Sequence, residues 1–214
     1  MNFYDSSNRY ALVLGAAGLL ALVSSLFFAS LNLNFFGQQS LTRIFAENGL
    51  AESIQNLTLL LSAVFFFVFS KQSDVTHKPV FYIFCAASLF MFSREFELNL
   101  SEDLEEKYAI LDTLKVLFRV SFVLTIVFYL VKVLKSWNLF KGFFKQYFLS
   151  PAALAVYIGV AFLMSGWPFD RIKGLVANPE YFEEFLETNG YFMWCLCSCI
   201  LHKDIQRIRS KPSS

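Results

Sequence analysis

Six long apolar stretches, separated by short polar segments, dominate this chain. The first, from Ala11 to Leu31, runs for 21 residues without a charge. A helix of that length crosses a bilayer core of about 30 Å at about 1.5 Å per residue. The run is too long for the apolar part of a typical signal peptide. We therefore predict an all-α polytopic membrane protein with six transmembrane helices, at about 11–31, 53–70, 79–93, 112–131, 151–167 and 187–202.

Polar turns and prolines mark several helix boundaries. The polar segment 71–79 separates the second predicted helix from the third. Ser150-Pro151 is expected to begin the fifth helix, because proline is tolerated in a first turn. Trp167-Pro168 is expected to end that helix. Because we find no repeat and no linker, we expect residues 1–214 to form a single transmembrane domain.

The charges predict an orientation. Only 16% of the residues are charged, against about a quarter in soluble domains. With the N-terminus inside, the inner segments carry eleven Lys and Arg against three acids, and the outer segments carry seven basic residues and fourteen acids. Because short loops rich in Lys and Arg stay in the cytoplasm, we predict two cytoplasmic termini and an acidic periplasmic face. No basic stripe indicates nucleic acid as a partner. The first predicted partner is the lipid bilayer.

Polar side chains from four helices are predicted to lie at one depth. Counted from the cytoplasmic helix ends, they lie roughly 20–28 Å up, near the outer boundary of the core. A charge at that depth costs at least about 2–3 kcal/mol unless it is paired or hydrated. We therefore predict a pocket that opens outward, with candidate ligand-binding residues Glu47, Glu52, Gln55, Asn56, Arg94, Glu95, Glu97, Arg119, Glu184 and Glu187.

The residue types limit the chemistry of this pocket. The two histidines, His77 and His202, are predicted on the cytoplasmic side, which excludes a His-based metal site or a Ser-His-Asp triad in this pocket. Carboxylates with amides suit Ca²⁺ or Mg²⁺, and paired carboxylates suit general acid–base catalysis. Arg94 and Arg119 suit an anionic headgroup. The same two arginines also fit structural ion pairs near helix ends.

Three short strings carry a resemblance. They are Glu47-Asn48-Gly49-x-x-Glu52, Arg94-Glu95 and Glu183-Glu184-x-x-Glu187. In these strings the chain resembles a loose group of uncharacterised bacterial multi-pass inner-membrane proteins. The resemblance implies a location in the bacterial inner membrane.

Three functional hypotheses follow. In the first, the pocket binds a small polar or lipid-headgroup ligand that is transported, sensed or processed. In the second, the chain is an assembly or sensor subunit that pairs with a copy of itself or with a partner membrane protein. The small residues Gly15, Ala16, Ala17, Gly18 and Ala21 allow such close helix approach. In the third, it is a membrane-embedded lipid-modifying enzyme that uses a carboxylate pair.

Overall fold

Helices of 12 or more residues make up nearly all of the chain that the structure describes. The computed structural model describes residues 6–32, 41, 44–45, 49–95, 105–171 and 179–210. No strand occurs within these ranges, which confirms the all-α fold class. The helices are α1 (Ser6–Asn32), α2 (Leu50–Gln72), α3 (Lys78–Glu95), α4 (Glu105–Lys135), α5 (Trp137–Phe148), α6 (Pro151–Arg171) and α7 (Pro179–Ser210).

Four of these helices are long and apolar enough to cross a membrane. The spans are Ser7–Leu31, Leu50–Gln72, Thr113–Lys135 and Pro151–Phe169. In the most apolar 18-residue stretch of α4, none of the residues is buried inside the protein, and in that of α1 only 11% are. Exposed apolar surface of this extent marks contact with lipid, so the chain is an α-helical membrane protein. The helix α3 carries three charges (Lys78, Arg94 and Glu95), and the apolar part of α7 is interrupted by polar residues such as Thr188 and Asn189, so neither helix belongs to this group.

One predicted helix boundary is confirmed and another is wrong, both in α6. The helix begins at Pro151, and Ser150 Oγ accepts a hydrogen bond from the Ala153 backbone N–H at 3.1 Å, as an N-cap does. It does not end at Trp167-Pro168, however, but continues to Arg171. Pro168 has no N–H and so removes one intrahelical hydrogen bond, but the helix continues for three more residues.

The helix α5 lies in a segment that was expected to connect two membrane spans. Its aromatic residues Trp137, Phe140, Phe144 and Phe148 recur every three or four positions, which is a helical period. Phe140 is buried while Trp137 and Lys141 are exposed. Such a short amphipathic helix is typical of a membrane surface. The helix α7 is also longer than predicted, since it begins at Pro179 rather than near residue 187.

Packing divides the chain into two compact units. The first comprises Met1–Thr58 with Lys145–Ser214, and the second comprises Leu59–Phe144. The first therefore contains α1, the beginning of α2, α6 and α7, and the second contains the rest of α2 with α3, α4 and most of α5. That the whole chain forms a single domain stays a prediction.

In the first unit, α6 and α7 approach closely through two glycines. A Cβ atom added to Gly190 of α7 would lie 2.7 Å from Leu163 Cγ and 3.0 Å from the Gly159 carbonyl oxygen of α6. A side chain at Gly190 would force Leu163 and the Gly159 carbonyl to shift, so glycine allows this close approach. Small residues at such crossings are the usual means of close helix packing in membranes.

A buried ion pair joins three helices of the same unit. Arg9 Nη1 of α1 lies 2.5 Å from Asp204 Oδ1 of α7, and the two side chains are 6% and 4% exposed. Asp204 Oδ2 also accepts a hydrogen bond from the Ala152 backbone N–H at 3.0 Å, in the first turn of α6. The charge pattern used both residues only to predict the orientation. The structure shows that they connect α1, α6 and α7.

Aromatic contacts hold the helices of the second unit together. Tyr82 of α3 stacks on Tyr129 of α4 with ring centroids 4.8 Å apart. Phe66 of α2 and Phe84 of α3 lie 5.2 Å apart, and Phe66 is fully buried. Large aromatic side chains thus form the core of this unit.

Candidate functional site

A buried glutamine joins the beginning of α2 to the first half of α7. Gln55 is 0% exposed. Its Nε2 donates to Glu184 Oε2 at 2.8 Å, to the Glu184 carbonyl at 3.1 Å and to Thr188 Oγ1 at 3.1 Å. Because Glu184 and Thr188 are four residues apart on one helix face, a single amide reaches both. The Thr188 hydroxyl in turn donates to the Glu184 carbonyl at 2.7 Å.

Two amide oxygens of α2 are buried without a hydrogen-bond partner in the part of the chain that the structure describes. They are Gln55 Oε1 and Asn56 Oδ1. Three acceptors surround Gln55 Nε2, which fixes the orientation of the amide because only its NH₂ group donates. An unsatisfied buried acceptor costs about 1–3 kcal/mol. The first unit therefore contains two buried acceptors that have no donor among the described residues.

A second polar contact continues this layer between α1 and α7. Asn189 Nδ2 donates to Ser24 Oγ at 2.7 Å, and Ser24 Oγ donates to the Leu20 carbonyl at 2.8 Å. Asn189 and Ser24 are both buried. We call Ser24, Gln55, Glu184, Thr188 and Asn189 the polar layer. Successive positions of α7 thus contact two different helices through polar groups.

Aromatic rings pack beside the polar layer. Phe27 stacks on Phe185 at 4.4 Å and Phe28 stacks on Phe182 at 4.5 Å, which joins the end of α1 to the beginning of α7. Phe169, near the end of α6, stacks on Phe182 at 5.2 Å. These aromatic contacts join α1, α6 and α7 next to the polar layer.

The predicted cations lie in the second unit, where they have other contacts. Arg119 Nη2 of α4 donates to the Ser93 carbonyl at 2.8 Å. Since α3 ends at Glu95, this carbonyl is one of the last four, which lack an intrahelical partner. Arg119 thus caps α3 and complements its dipole. Arg94 pairs with Glu95 at 2.5 Å, but its side chain is 53% exposed, so that pair adds little stability.

The predicted site residues fall into three groups. Gln55 and Glu184 are in direct contact, and Glu52, Asn56 and Glu187 are half-buried in the same unit. Arg94, Glu95 and Arg119 belong to the second unit. Glu47 and Glu97 lie outside the described residues.

Among the described residues, no group of three His, Cys, Asp or Glu side chains is placed to hold a metal ion.

Three residues of the polar layer, Ser24, Thr188 and Asn189, were not predicted from the sequence. The hydroxyl of Ser24 interrupts a long apolar run, and Thr188 lies one turn after Glu184. These were the available signals, and neither is specific.

Comparison of the chain with protein-family models, with curated proteins and with solved structures found no match. The resemblance of its three short strings to bacterial inner-membrane proteins stays a prediction.

Proposed function

We propose that this membrane protein binds a small polar ligand or a lipid headgroup at its polar layer, and that the ligand supplies hydrogen-bond donors. One observation carries the proposal: Gln55 is fully buried, yet its Oε1 has no hydrogen-bond partner among the described residues. A donor from a ligand would recover the about 1–3 kcal/mol that an unsatisfied buried acceptor costs.

The chemistry of the layer favours an ammonium or a hydroxyl-bearing group. In the layer itself, Gln55 Oε1 is an acceptor and Glu184 adds a carboxylate, and Asn56 Oδ1 is a further buried acceptor of the same unit. An anionic phosphate would be repelled by that carboxylate, and the arginines that suit a phosphate contact Glu95 and Ser93 instead. Carboxylate and amide oxygens also suit Ca²⁺ or Mg²⁺, which makes a hard cation the second ligand class.

The proposed setting is the bacterial inner membrane, with six spans and both termini in the cytoplasm. The helix α3 has 18 residues, or about 27 Å, and residues 187–202 of α7 have a similar length. Both nearly match a core of about 30 Å. The excess of Lys and Arg in the inner segments supports this orientation, in which the polar layer lies toward the outer face.

Paired lipids and paired variants test the ligand proposal. Phosphatidylethanolamine carries N–H donors in its headgroup, whereas phosphatidylcholine has the same net charge and none. We expect phosphatidylethanolamine to raise the unfolding temperature of the purified protein more than phosphatidylcholine does. Glu184→Gln keeps an acceptor for the Gln55 amide but removes the charge, so it should abolish the difference. Glu180→Gln, an exposed position one turn earlier, should preserve it.

Two outcomes would contradict the proposal. In one, the two lipids and added Ca²⁺ or Mg²⁺ all leave the wild-type unfolding temperature unchanged. In the other, Glu184→Gln responds to phosphatidylethanolamine as strongly as Glu180→Gln does.

A second candidate function is self-association, or association with a partner membrane protein, through α1. Cβ atoms built on Gly15 and Gly18 meet no other described atom within 4 Å. Open glycines one turn apart allow a second helix to approach closely. Gly15→Ile with Gly18→Ile should then convert a dimer in mild detergent into a monomer, and a monomeric wild type would contradict this candidate. The enzyme hypothesis, which requires a second carboxylate facing the first, stays a prediction.

A further inference from the structure

A cavity in the second unit has a chemistry opposite to that of the polar layer. Its volume is about 640 Å³, which lies within the about 300–1,000 Å³ of small-molecule sites. It is formed by the turn between α2 and α3, the beginning of α3, the end of α4 and the beginning of α5. Its polar lining includes Thr76, Lys78, Lys132, Lys135 and Ser136.

The lysines of this cavity form no ion pair with an acid among the residues that the structure describes. No described carboxylate lies within 4.0 Å of Lys78, Lys132 or Lys135. The acid in the adjoining turn, Asp74, faces His77 instead, with 2.7 Å to Nδ1 and 2.9 Å to the backbone N–H. Three cations around one space raise its local potential and favour an anion there.

Aromatic and hydroxyl groups give this positive space a defined shape. The stacked rings of Tyr82 and Tyr129 form one wall. Lys132 Nζ lies 5.5 Å from the Tyr129 ring centroid and 4.7 Å from that of Phe128, so cation–π contacts hold the ammonium in place. The hydroxyls of Thr76 and Ser136 line the same space and can donate to an anion.

We propose that this cavity binds a phosphate group, carried either by a lipid headgroup or by a soluble molecule. Lysine ammonium groups bind phosphate as point charges, and three of them suit a group with more than one negative charge. Basic residues beside a membrane attract anionic lipids in the same way. Lysines that only set topology need not converge. Here Lys78 of α3 meets two lysines of α4 at one cavity.

Two matched triple variants of the full chain test this proposal. One replaces the cavity lysines: Lys78→Gln, Lys132→Gln and Lys135→Gln. The control removes the same charge from the same predicted face, in α5, in α7 and after α7: Lys141→Gln, Lys203→Gln and Lys211→Gln. Each cavity lysine should contribute about fivefold in affinity, because a basic residue beside anionic lipid contributes about 1 kcal/mol. The cavity triple should therefore weaken binding about 100-fold, and the control less than about threefold.

Two probes distinguish the sources of the phosphate. Inorganic phosphate is titrated into protein in neutral detergent, and phosphatidylglycerol is compared with phosphatidylcholine by native mass spectrometry. Lysine-dependent binding of inorganic phosphate indicates a soluble ligand, and binding of phosphatidylglycerol alone indicates a headgroup. Equal weakening by the two triple variants, or binding of neither probe by the wild type, would overturn the proposal. Should the cavity triple not fold, the three single variants carry the same test, with about a fivefold loss each.

Discussion

Replacing Asp204 with alanine gives the largest stability effect that we predict for this protein. The carboxylate contacts the Arg9 guanidinium at 2.5 Å and the Ala152 backbone N–H at 3.0 Å. Removing one partner of a buried ion pair costs about 3–5 kcal/mol, because the remaining charge stays buried. The lost bond to a first-turn N–H adds about 1 kcal/mol. We therefore expect Asp204→Ala to lower the free energy of unfolding by about 4–6 kcal/mol.

Equilibrium unfolding in mixed micelles with increasing denaturing detergent measures this change. Lys203→Ala is the control, because it alters an exposed neighbour on the same helix and should stay within about 0.5 kcal/mol of the wild type. A double variant, Arg9→Met with Asp204→Leu, removes both charges and fills the space with apolar atoms. It should recover most of the loss, since apolar replacements of buried pairs are often neutral or stabilising.

Either of two results would refute this reasoning. If Asp204→Ala were as stable as Lys203→Ala, the pair would be hydrated rather than buried. If the double variant were as unstable as Asp204→Ala, the cost would arise from the lost bond to Ala152 and not from an uncompensated Arg9.

Three further predictions address packing, capping and topology. Gly190→Ala should lower the free energy of unfolding by about 1–3 kcal/mol, because its Cβ would lie 2.7 Å from a side-chain carbon of α6. Gly15→Ala, where a Cβ meets no described atom within 4 Å, should leave the free energy of unfolding unchanged. Equal unfolding temperatures of the two variants would contradict this prediction. Arg119→Met should cost about 1.5–3 kcal/mol in the same unfolding assay and speed amide exchange at the end of α3, and unchanged exchange there would argue against the cap. In a variant without native cysteines, an impermeant thiol reagent applied to intact cells should label Glu180→Cys and not Ser136→Cys, and the reverse pattern would contradict the proposed orientation.

The helices could be predicted from the sequence because the physics of the bilayer leaves few alternatives. A long uncharged run in lipid must satisfy its backbone internally, so it forms a helix. Segment 11–31 accordingly lies within α1. The helix α5 escaped prediction because its 12 residues are too short to cross a membrane. The spacing of its aromatic residues was the available signal. The same segment contains Lys141 and Lys145, which were used only to predict the topology.

Contacts between helices could not be predicted to the same extent. Counting residues along a helix gives the depth of a side chain but not the neighbour that it faces. Gln55 and Glu184 were both assigned to one level, and the structure adds that they touch. Arg119 was assigned to that level too, yet it caps α3, because the Ser93 carbonyl at a helix end is a strong local acceptor. The burial of Arg9 depends on how three helices pack, which charge counting does not address.

The most direct test of the central claim is native mass spectrometry of the gently extracted protein, with and without a chelator. The account predicts that the wild type and Glu180→Gln retain an added mass, either an amine- or hydroxyl-bearing lipid or small molecule or a chelator-sensitive cation. It also predicts that Glu184→Gln, folded to the same extent, loses that mass. A bare wild-type protein, or a wild-type protein whose every added mass is retained by Glu184→Gln, would contradict the claim that the polar layer binds a ligand.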